Sequence, residues 1–230
     1  MNQIGENILR IRERIEAAAR NAGRNPEEVR LMAVSKTRSR EEILEAYRQG
    51  MRLFGENRVQ EMKEKFTDMP EDLELHLIGH LQRNKAAAAA GMAVCIHSLD
   101  KWETLTALDK ACRALGKKMD VLLEINTSGE ESKNGFTDNV CFFETVEKSL
   151  ELEMITVTGL MTMAPFTDDR NAVRRSFRAL RELRDRTLVR FPEMNLPVLS
   201  MGMSGDFETA VEEGSTLVRV GTMLFGERRA

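Results

Sequence analysis

Apolar residues recur along this chain in two patterns, and the alternation between the patterns predicts the fold. Ile4, Ile8, Ile11 and Ile15 follow the spacing of one helix face and predict a helix over residues 2–22. Short apolar runs, typical of strands buried on both faces, then alternate with charged segments. The predicted strands are 29–35, 52–55, 73–79, 93–98, 119–126, 155–161, 197–200 and 216–220. The predicted helices between them are 40–49, 57–66, the KAAAAA stretch, 101–115, 138–150, 169–191 and 206–213.

Eight strands that alternate with helices predict an α/β fold, a single (β/α)8 TIM-type barrel over residues 1–230 with an extra N-terminal helix. A chain of 230 residues is long enough for one such barrel. A doubly wound open sheet is the alternative, although that fold does not need eight evenly spaced units. Two local signals accompany the pattern. Ser39 with Glu42 has the form of a capping box, and Asp100 is placed to cap the helix that follows it.

The composition is typical of a globular protein with a sizeable core, since 42% of the residues are apolar and 31% are charged. A net charge of −3 argues against nucleic acid as the main partner, because nucleic-acid binding usually needs a basic face. Cys95, Cys112 and Cys141 show neither metal-ligand nor disulfide spacing. No apolar stretch has the length of a signal peptide or a membrane span, so we expect a cytoplasmic protein without membrane contact.

Lys36 stands where the first predicted strand ends, after an apolar run. A strand end is rigid and can direct a side chain into a cleft. A lysine that is partly removed from water there loses some of its preference for the charged form. Its neutral amine can condense with a carbonyl group to form a Schiff base. The alternative is a solvated lysine that only closes the strand.

The loops after the last two predicted strands, MGMSGDFETA and VRVGT, combine glycines with hydroxyl groups. Backbone N–H groups in such loops can bind an anion, and many barrels bind phosphate at this place. Alternatively, Gly202 and Gly205 only shape a turn, and Ser204 or Asp206 caps the next helix. Arg219 interrupts an otherwise apolar strand, so we expect it either to face a ligand inside the barrel or to have a buried partner.

A lysine, a phosphate-binding loop and an interior arginine suit a ligand that carries both a carbonyl and a phosphate. Pyridoxal 5'-phosphate (PLP) offers an aldehyde for Lys36, a phosphate for the late loops and a ring nitrogen for Arg219. A sugar-phosphate aldolase would use the first two features, and the spacing leaves both interpretations open. The spacing of His76, His80 and His97 does not indicate a metal cluster. His80 has no evident carboxylate partner in the sequence, and we expect none of the three to act as a catalytic base.

Several motifs resemble the pyridoxal phosphate homeostasis protein family over about residues 32–228. They are AVSKT, FGENRVQE, HLIGHLQRNK, NTSGEESKNGF, GLMTMAP and LSMGMSGDFETAVEEGSTLVRVGTMLFGER, in that order. The resemblance implies a fold-type III barrel like the N-terminal domain of alanine racemase, with PLP held as a Schiff base on Lys36. It places Asn57 near the cofactor and Arg219 against the pyridine nitrogen. Residues of the last two loops would surround the phosphate: Ser200, Met203, Ser204, Gly221 and Thr222.

The resemblance leaves two functional classes, a PLP carrier without catalytic turnover and an amino-acid racemase-like enzyme. An arginine at the ring nitrogen keeps that nitrogen unprotonated, which weakens the ring as an electron sink. Alanine racemases add a tyrosine base from a second domain, whereas this chain ends soon after the eighth strand and Tyr47 falls inside a predicted helix. We therefore expect a carrier, a monomer, that serves intracellular PLP homeostasis and supplies PLP-dependent apo-enzymes.

Overall fold

A computed structural model describes residues 2–130 and 132–227. Its strands are β1 (Arg30–Val34), β2 (Leu53–Glu56), β3 (Glu74–Leu77), β4 (Cys95–Leu99), β5 (Met119–Glu124), β6 (Ile155–Met161), β7 (Val198–Ser200) and β8 (Leu217–Val220). Each strand pairs in parallel with the next one along the chain, and β8 pairs with β1. Across that closing seam Met32 lies beside Arg219. The closed barrel confirms the predicted (β/α)8 architecture and excludes the open sheet.

The described helices are α1 (Gln3–Asn21), α2 (Arg40–Arg48), α3 (Val59–Lys65), α4 (Ala86–Met92), α5 (Trp102–Leu115), α6 (Asn139–Ser149), α7 (Arg170–Arg190), α8 (Phe207–Glu212) and α9 (Thr222–Phe225). Short 3-10 turns cover Pro26–Glu28 and Arg83–Lys85. The extra N-terminal helix is α1, which packs against α8 and α9. None of the described helices combines the length and the hydropathy that a bilayer-spanning segment requires.

The local signals of the sequence had mixed outcomes. The capping box at α2 is confirmed, because Ser39 Oγ accepts from the Glu42 amide and the Glu42 carboxylate accepts from the Ser39 amide at 2.8 Å. The prediction for Asp100 was wrong: Lys101 is the N-cap residue of α5, and Asp100 instead accepts a hydrogen bond from the Gly135 amide at 3.3 Å. Helix α9 was missed because four residues are too few to show a helical pattern.

Alternate residues of the strands belong to different apolar clusters, as expected when one side of each strand faces the helices and the other faces the barrel interior. Ala33 and Phe54 join the large cluster between strands and helices. Two small clusters form separately, and Val198 packs against both. Their buried members are Met32, Leu53 and Leu217 in one, and Cys95, Leu122 and Met161 in the other. Side chains of the described strands therefore fill this part of the barrel interior.

Candidate functional site

A cavity of about 400 Å³ lies at the carboxyl ends of the strands, which is where barrel enzymes carry their sites. Seven of the eight predicted site residues line it: Lys36, Asn57, Met203, Ser204, Arg219, Gly221 and Thr222. The eighth, Ser200, lies outside the lining, fully buried and bonded to Arg219. The structure thus brings together residues from distant parts of the chain, and their contact with a cofactor stays a prediction.

Lys36 enters the cavity wall from a tight turn after β1. The Arg38 amide closes this turn by donating to the Ser35 carbonyl oxygen at 3.0 Å. Thr37, the third residue of the turn, has a φ of 64°, a left-handed conformation that is rare for a β-branched residue. Lys36 is therefore presented by a segment whose backbone geometry is unusual and has to be held in place.

Arg219 lies on the cavity floor and is almost completely buried. Its guanidinium donates to the Ser200 carbonyl and to Ser200 Oγ, both at 2.7 Å, and to the Thr162 carbonyl at 2.9 Å. Burial lowers the pKa of Arg219 to about 10, while Asp206 and Glu124 act in the opposite direction. The group therefore remains charged at neutral pH. Arg219 therefore has the buried partners that were one of the two expectations, and it also lines the cavity, while its contact with a ligand stays a prediction.

A chain of hydrogen bonds leads from Arg219 down the barrel interior. Ser200 Oγ lies 3.0 Å from His97 Nδ1, and His97 Nε2 lies 2.9 Å from His76 Nδ1. Arginine can only donate, so the Ser200 hydroxyl accepts from Arg219 and its own proton is left for His97. His97 and His76 then each carry their proton on Nε2. Burial lowers the pKa of His76 to about 3 and that of His97 well below the usual range, so both imidazoles are neutral.

Cys95 adjoins the two histidines, and one ligand atom from each of the three residues lies within 4.8 Å of the others. This cluster was not visible in the linear spacing, because its members come from the neighbouring strands β3 and β4. The facing imidazole nitrogens already share a hydrogen bond, which a bound ion would have to break. Burial also raises the pKa of the Cys95 thiol far above its ordinary value, which opposes the thiolate that a metal ion needs.

The structure adds to the sequence analysis at two cavity residues. Glu124 was not predicted to be in the site, and His80 was expected to have no carboxylate partner. Glu124, at the end of β5, is buried and lines the cavity. The pKa of Glu124 is raised to about 7, mainly by burial and also by the nearby Asp100, while Arg219 acts in the opposite direction. Its only signal in the sequence was a charge at the end of an apolar run. His80 has a carboxylate neighbour after all, since Asp100 Oδ2 lies 4.0 Å from His80 Nδ1.

The loop after β7 shapes a tight turn and contributes to the cavity wall, while its binding of an anion stays a prediction. Gly202 has a φ of 96°, and a Cβ there would lie 2.9 Å from Phe207 Cα, so this glycine is required by the turn. Asp206 is the N-cap residue of α8, but its side chain accepts from the Met203 amide at 2.5 Å and makes no cap bond. Ser204 lines the cavity, and its Oγ accepts from the Met223 amide in α9 at 3.4 Å. The hydroxyl therefore joins the last two loops.

Comparisons with known proteins give one consistent result. The family described as alanine racemase, N-terminal domain, matches residues 7–229. The chain is 45% identical over 225 residues to the pyridoxal phosphate homeostasis protein of Aquifex aeolicus, covering 97% of this chain and 98% of the relative. It is 38% identical over 236 residues to the protein of the same name from Escherichia coli strain K12, covering 99% and 98%.

Solved structures agree with the sequence relatives. PipY of Synechococcus elongatus, solved with PLP bound, superposes with a TM-score of 0.86 at 36% identity, covering 97% of this chain and all of that one. Alanine racemase of Clostridium difficile, at 15% identity, shares the fold with a TM-score of 0.74 over 96% of this chain and 57% of its own. The chain therefore belongs to the alanine racemase N-terminal domain family and, within it, to the pyridoxal phosphate homeostasis proteins.

Proposed function

We propose that this chain binds PLP and serves intracellular PLP homeostasis, holding the cofactor as a Schiff base on Lys36 without catalytic turnover. The observation behind the proposal is that one cavity is lined by an amine, by a charged hydrogen-bond donor and by two loops that contain glycines and hydroxyl groups. Lys36, Arg219 and Ser204 all line that cavity, although Lys36 and Arg219 are 183 positions apart in the sequence. The close relationship to proteins named for PLP homeostasis supports the same conclusion.

The donor groups fit each part of the cofactor. A volume of about 400 Å³ is within the range of small-molecule sites. The Lys36 amine matches an aldehyde, and the loops with Ser204, Gly221 and Thr222 match a phosphate, which favours backbone N–H and hydroxyl donors. When bound, PLP supplies an electrophilic carbonyl and a ring that can accept electrons. Arg219 is then the residue of the cavity wall that would meet the pyridine ring.

Arg219 argues for holding the cofactor rather than using it in carbanion chemistry. Its guanidinium stays charged and can only donate, so it would stabilise an unprotonated ring nitrogen. Three oxygen contacts fix the guanidinium in place. A ring nitrogen kept in this form withdraws fewer electrons, and strong stabilisation of negative charge on a bound amino acid is not favoured.

The alternative is a racemase-like enzyme, which would need a second base in the cavity. Tyr47 does not supply it, because its hydroxyl bonds to Asp72 at 2.5 Å and Tyr47 is not among the described residues of the cavity wall. His80 and Glu124 do line the wall, and they are the groups on which this alternative rests. Incubation of the PLP-loaded protein with L-amino acids in D2O separates the two classes. A carrier leaves the α-hydrogen in place and forms no D-isomer, whereas steady exchange or racemisation supports the enzyme.

Replacement of Lys36 by alanine tests the attachment point. We expect Lys36→Ala to lose the borohydride-reducible adduct with PLP and to keep the thermal unfolding transition of the parent protein, because the side chain lies in the cavity wall. Lys85→Ala is the matched control, since Lys85 is exposed beside the neighbouring groove and should leave the adduct intact. An adduct retained in Lys36→Ala would refute the assignment.

The proposal also covers the setting in which the protein works. We infer a single PLP-binding barrel domain that acts as a monomer in the cytoplasm and passes PLP to PLP-dependent apo-enzymes. The closed barrel supports the single-domain part, because one continuous sheet connects β1 to β8. The net charge of −3 gives no reason to expect nucleic acid as a partner.

A further inference from the structure

The turn that carries Lys36 contains a residue, Thr37, whose backbone conformation is unfavourable for its residue type. Four residues, Ser35 to Arg38, form the turn, and Arg38 donates to Ser35 across it. In a turn of this kind with a positive φ at the third position, glycine is the usual residue. Thr37 occupies that position with a φ of 64°. A β-branched residue adopts this conformation only when its surroundings impose it.

Helix α3 supplies the contacts on the far side of the turn. Glu61 Oε2 accepts a hydrogen bond from the Thr37 amide at 3.1 Å. Lys65 lies one helical turn later, forms an ion pair with Glu61 and donates to the Ser35 carbonyl oxygen at 3.3 Å. The residue before Lys36 therefore bonds to Lys65, the residue after it bonds to Glu61, and Lys65 and Glu61 form an ion pair with each other.

A buried carboxylate completes the group. Glu56 Oε2 accepts from Ser35 Oγ at 2.9 Å and lies 3.4 Å from Lys65 Nζ. Its other oxygen, Oε1, accepts from the Asn57 amide at 2.9 Å. Because Asn57 and Lys36 both line the cavity, this carboxylate connects two parts of the wall. We refer to Glu56, Glu61 and Lys65 as the turn clamp.

The turn clamp lies behind the cavity. None of its three members is among the described residues that line the cavity, and Lys65 and Glu61 are mostly buried. A solvated ion pair on a helix surface would contribute little. These groups instead face backbone atoms of the turn, so their geometry is matched to the conformation of Ser35 and Thr37.

We propose that Glu61 and Lys65 are positioning residues that hold the turn in its left-handed conformation and so keep Lys36 directed into the cavity. The inference rests on the proposed function, in which Lys36 is the point of PLP attachment. Without the acceptor at Glu61, the Thr37 amide loses its partner and the turn can relax to a conformation that suits threonine better. The lysine then reaches the cofactor in only a fraction of the molecules.

A double-mutant cycle tests this role through the rate at which PLP is captured covalently, followed by absorbance. We expect Glu61→Ala to slow capture about tenfold in the parent background, the size expected when a conformational preference of this kind is lost. In a Thr37→Gly background the same change should slow capture less than about twofold, because glycine adopts a positive φ without strain. An equal effect of Glu61→Ala in both backgrounds, or no effect in the parent, would overturn the proposal.

Glu64→Ala is the matched control, since Glu64 is an exposed carboxylate on the same helix and its replacement should not change the capture rate. Thermal unfolding of each apo variant identifies any loss of fold. If Glu61→Ala lowers the stability of the protein, comparing its effect on the capture rate in the parent and in Thr37→Gly still isolates the contribution of the turn. A second readout uses the apo protein, with trace acetylation of Lys36 measured by peptide mass spectrometry. Glu61→Ala should change the extent of Lys36 acetylation more in the parent background than in the Thr37→Gly background. If the parent protein captures no PLP at all, the proposed function fails, while the acetylation pattern still decides the role of the clamp.

Discussion

Replacement of Gly79 by alanine tests how tightly the cavity wall is fixed. Gly79 follows β3 and lines the cavity beside Asn57. A Cβ at this position would lie 2.2 Å from the Asn57 carbonyl oxygen and 2.8 Å from Asn57 Cα. These are backbone atoms, so no side chain can rotate away. Real Cβ contacts are essentially never shorter than 3.0 Å, so the two segments must separate by nearly 1 Å.

Neither segment is free to move without loss. The Gly79 carbonyl accepts from Ser98 Oγ at 2.6 Å, and the Asn57 amide is held by Glu56 at 2.9 Å. Overpacking of this type costs about 1–3 kcal/mol. For a chain of this size each kcal/mol lowers the midpoint of thermal unfolding by about 2–4 °C, so we expect a decrease of roughly 2–12 °C. Because Asn57 has to move, PLP affinity should fall as well.

Circular dichroism of the apo protein gives the unfolding midpoint, and absorbance titration gives the dissociation constant for PLP. Gly91→Ala is the matched control: Gly91 lies in α4, and a methyl group added there would have no atom within 4 Å. That change should stabilise the protein by up to about 1 kcal/mol, because alanine is the better helix former. A Gly79→Ala variant with an unchanged midpoint and unchanged affinity would show that the contact between the two loops does not fix Asn57.

Two further predictions concern buried titratable groups. Glu124 keeps its proton in the folded chain up to a pKa of about 7, whereas an unfolded glutamate loses it near pH 4.3. The folded state therefore binds the extra proton. Between pH 5 and 6.5 the free energy of unfolding of the parent protein should fall with rising pH by roughly 1 kcal/mol per pH unit relative to Glu124→Gln. Urea unfolding measures this, and the same pH dependence in both proteins would contradict the prediction. His76 and His97 should both be neutral with the proton on Nε2 at pH 6, which nitrogen-15 NMR of the imidazoles measures directly, and an imidazolium signal from either would refute the chain of hydrogen bonds.

The barrel and two residues of the cavity wall, Lys36 and Arg219, could be predicted from local signals, whereas Asn57, Met203, Gly221 and Thr222 came from the family resemblance. Each strand is an apolar run, and Ser39 with Glu42 marks a helix start within four residues. Lys36 was found because it stands at a strand end. Arg219 was found because a charge in an apolar strand has few explanations. Such features depend on neighbours in the sequence, which the chain displays directly.

Contacts between strands could not be predicted in the same way. His76 and His97 are 21 residues apart, and they meet because β3 and β4 pair in a particular register. The turn clamp brings Glu61 of α3 to the amide of Thr37, 24 residues earlier. Asp100 was predicted to cap a helix, but its carboxylate instead accepts a hydrogen bond from the Gly135 amide, which lies in a distant loop. Strand register and loop placement determine which of these residues come into contact, and the spacing of residue types along the chain does not reveal either of them.

The seam between β1 and β8 has a consequence for the order of events during synthesis. Residues 30–33 pair with residues 217–220, so the sheet can close only after β8 has left the ribosome. Contacts of such large sequence separation form late, since a long loop must be closed first. Arg219, Gly221 and Thr222 also belong to this last segment. A nascent chain would therefore expose Lys36 before the remaining cavity wall exists, and stable cofactor binding should begin only once synthesis of β8 is complete.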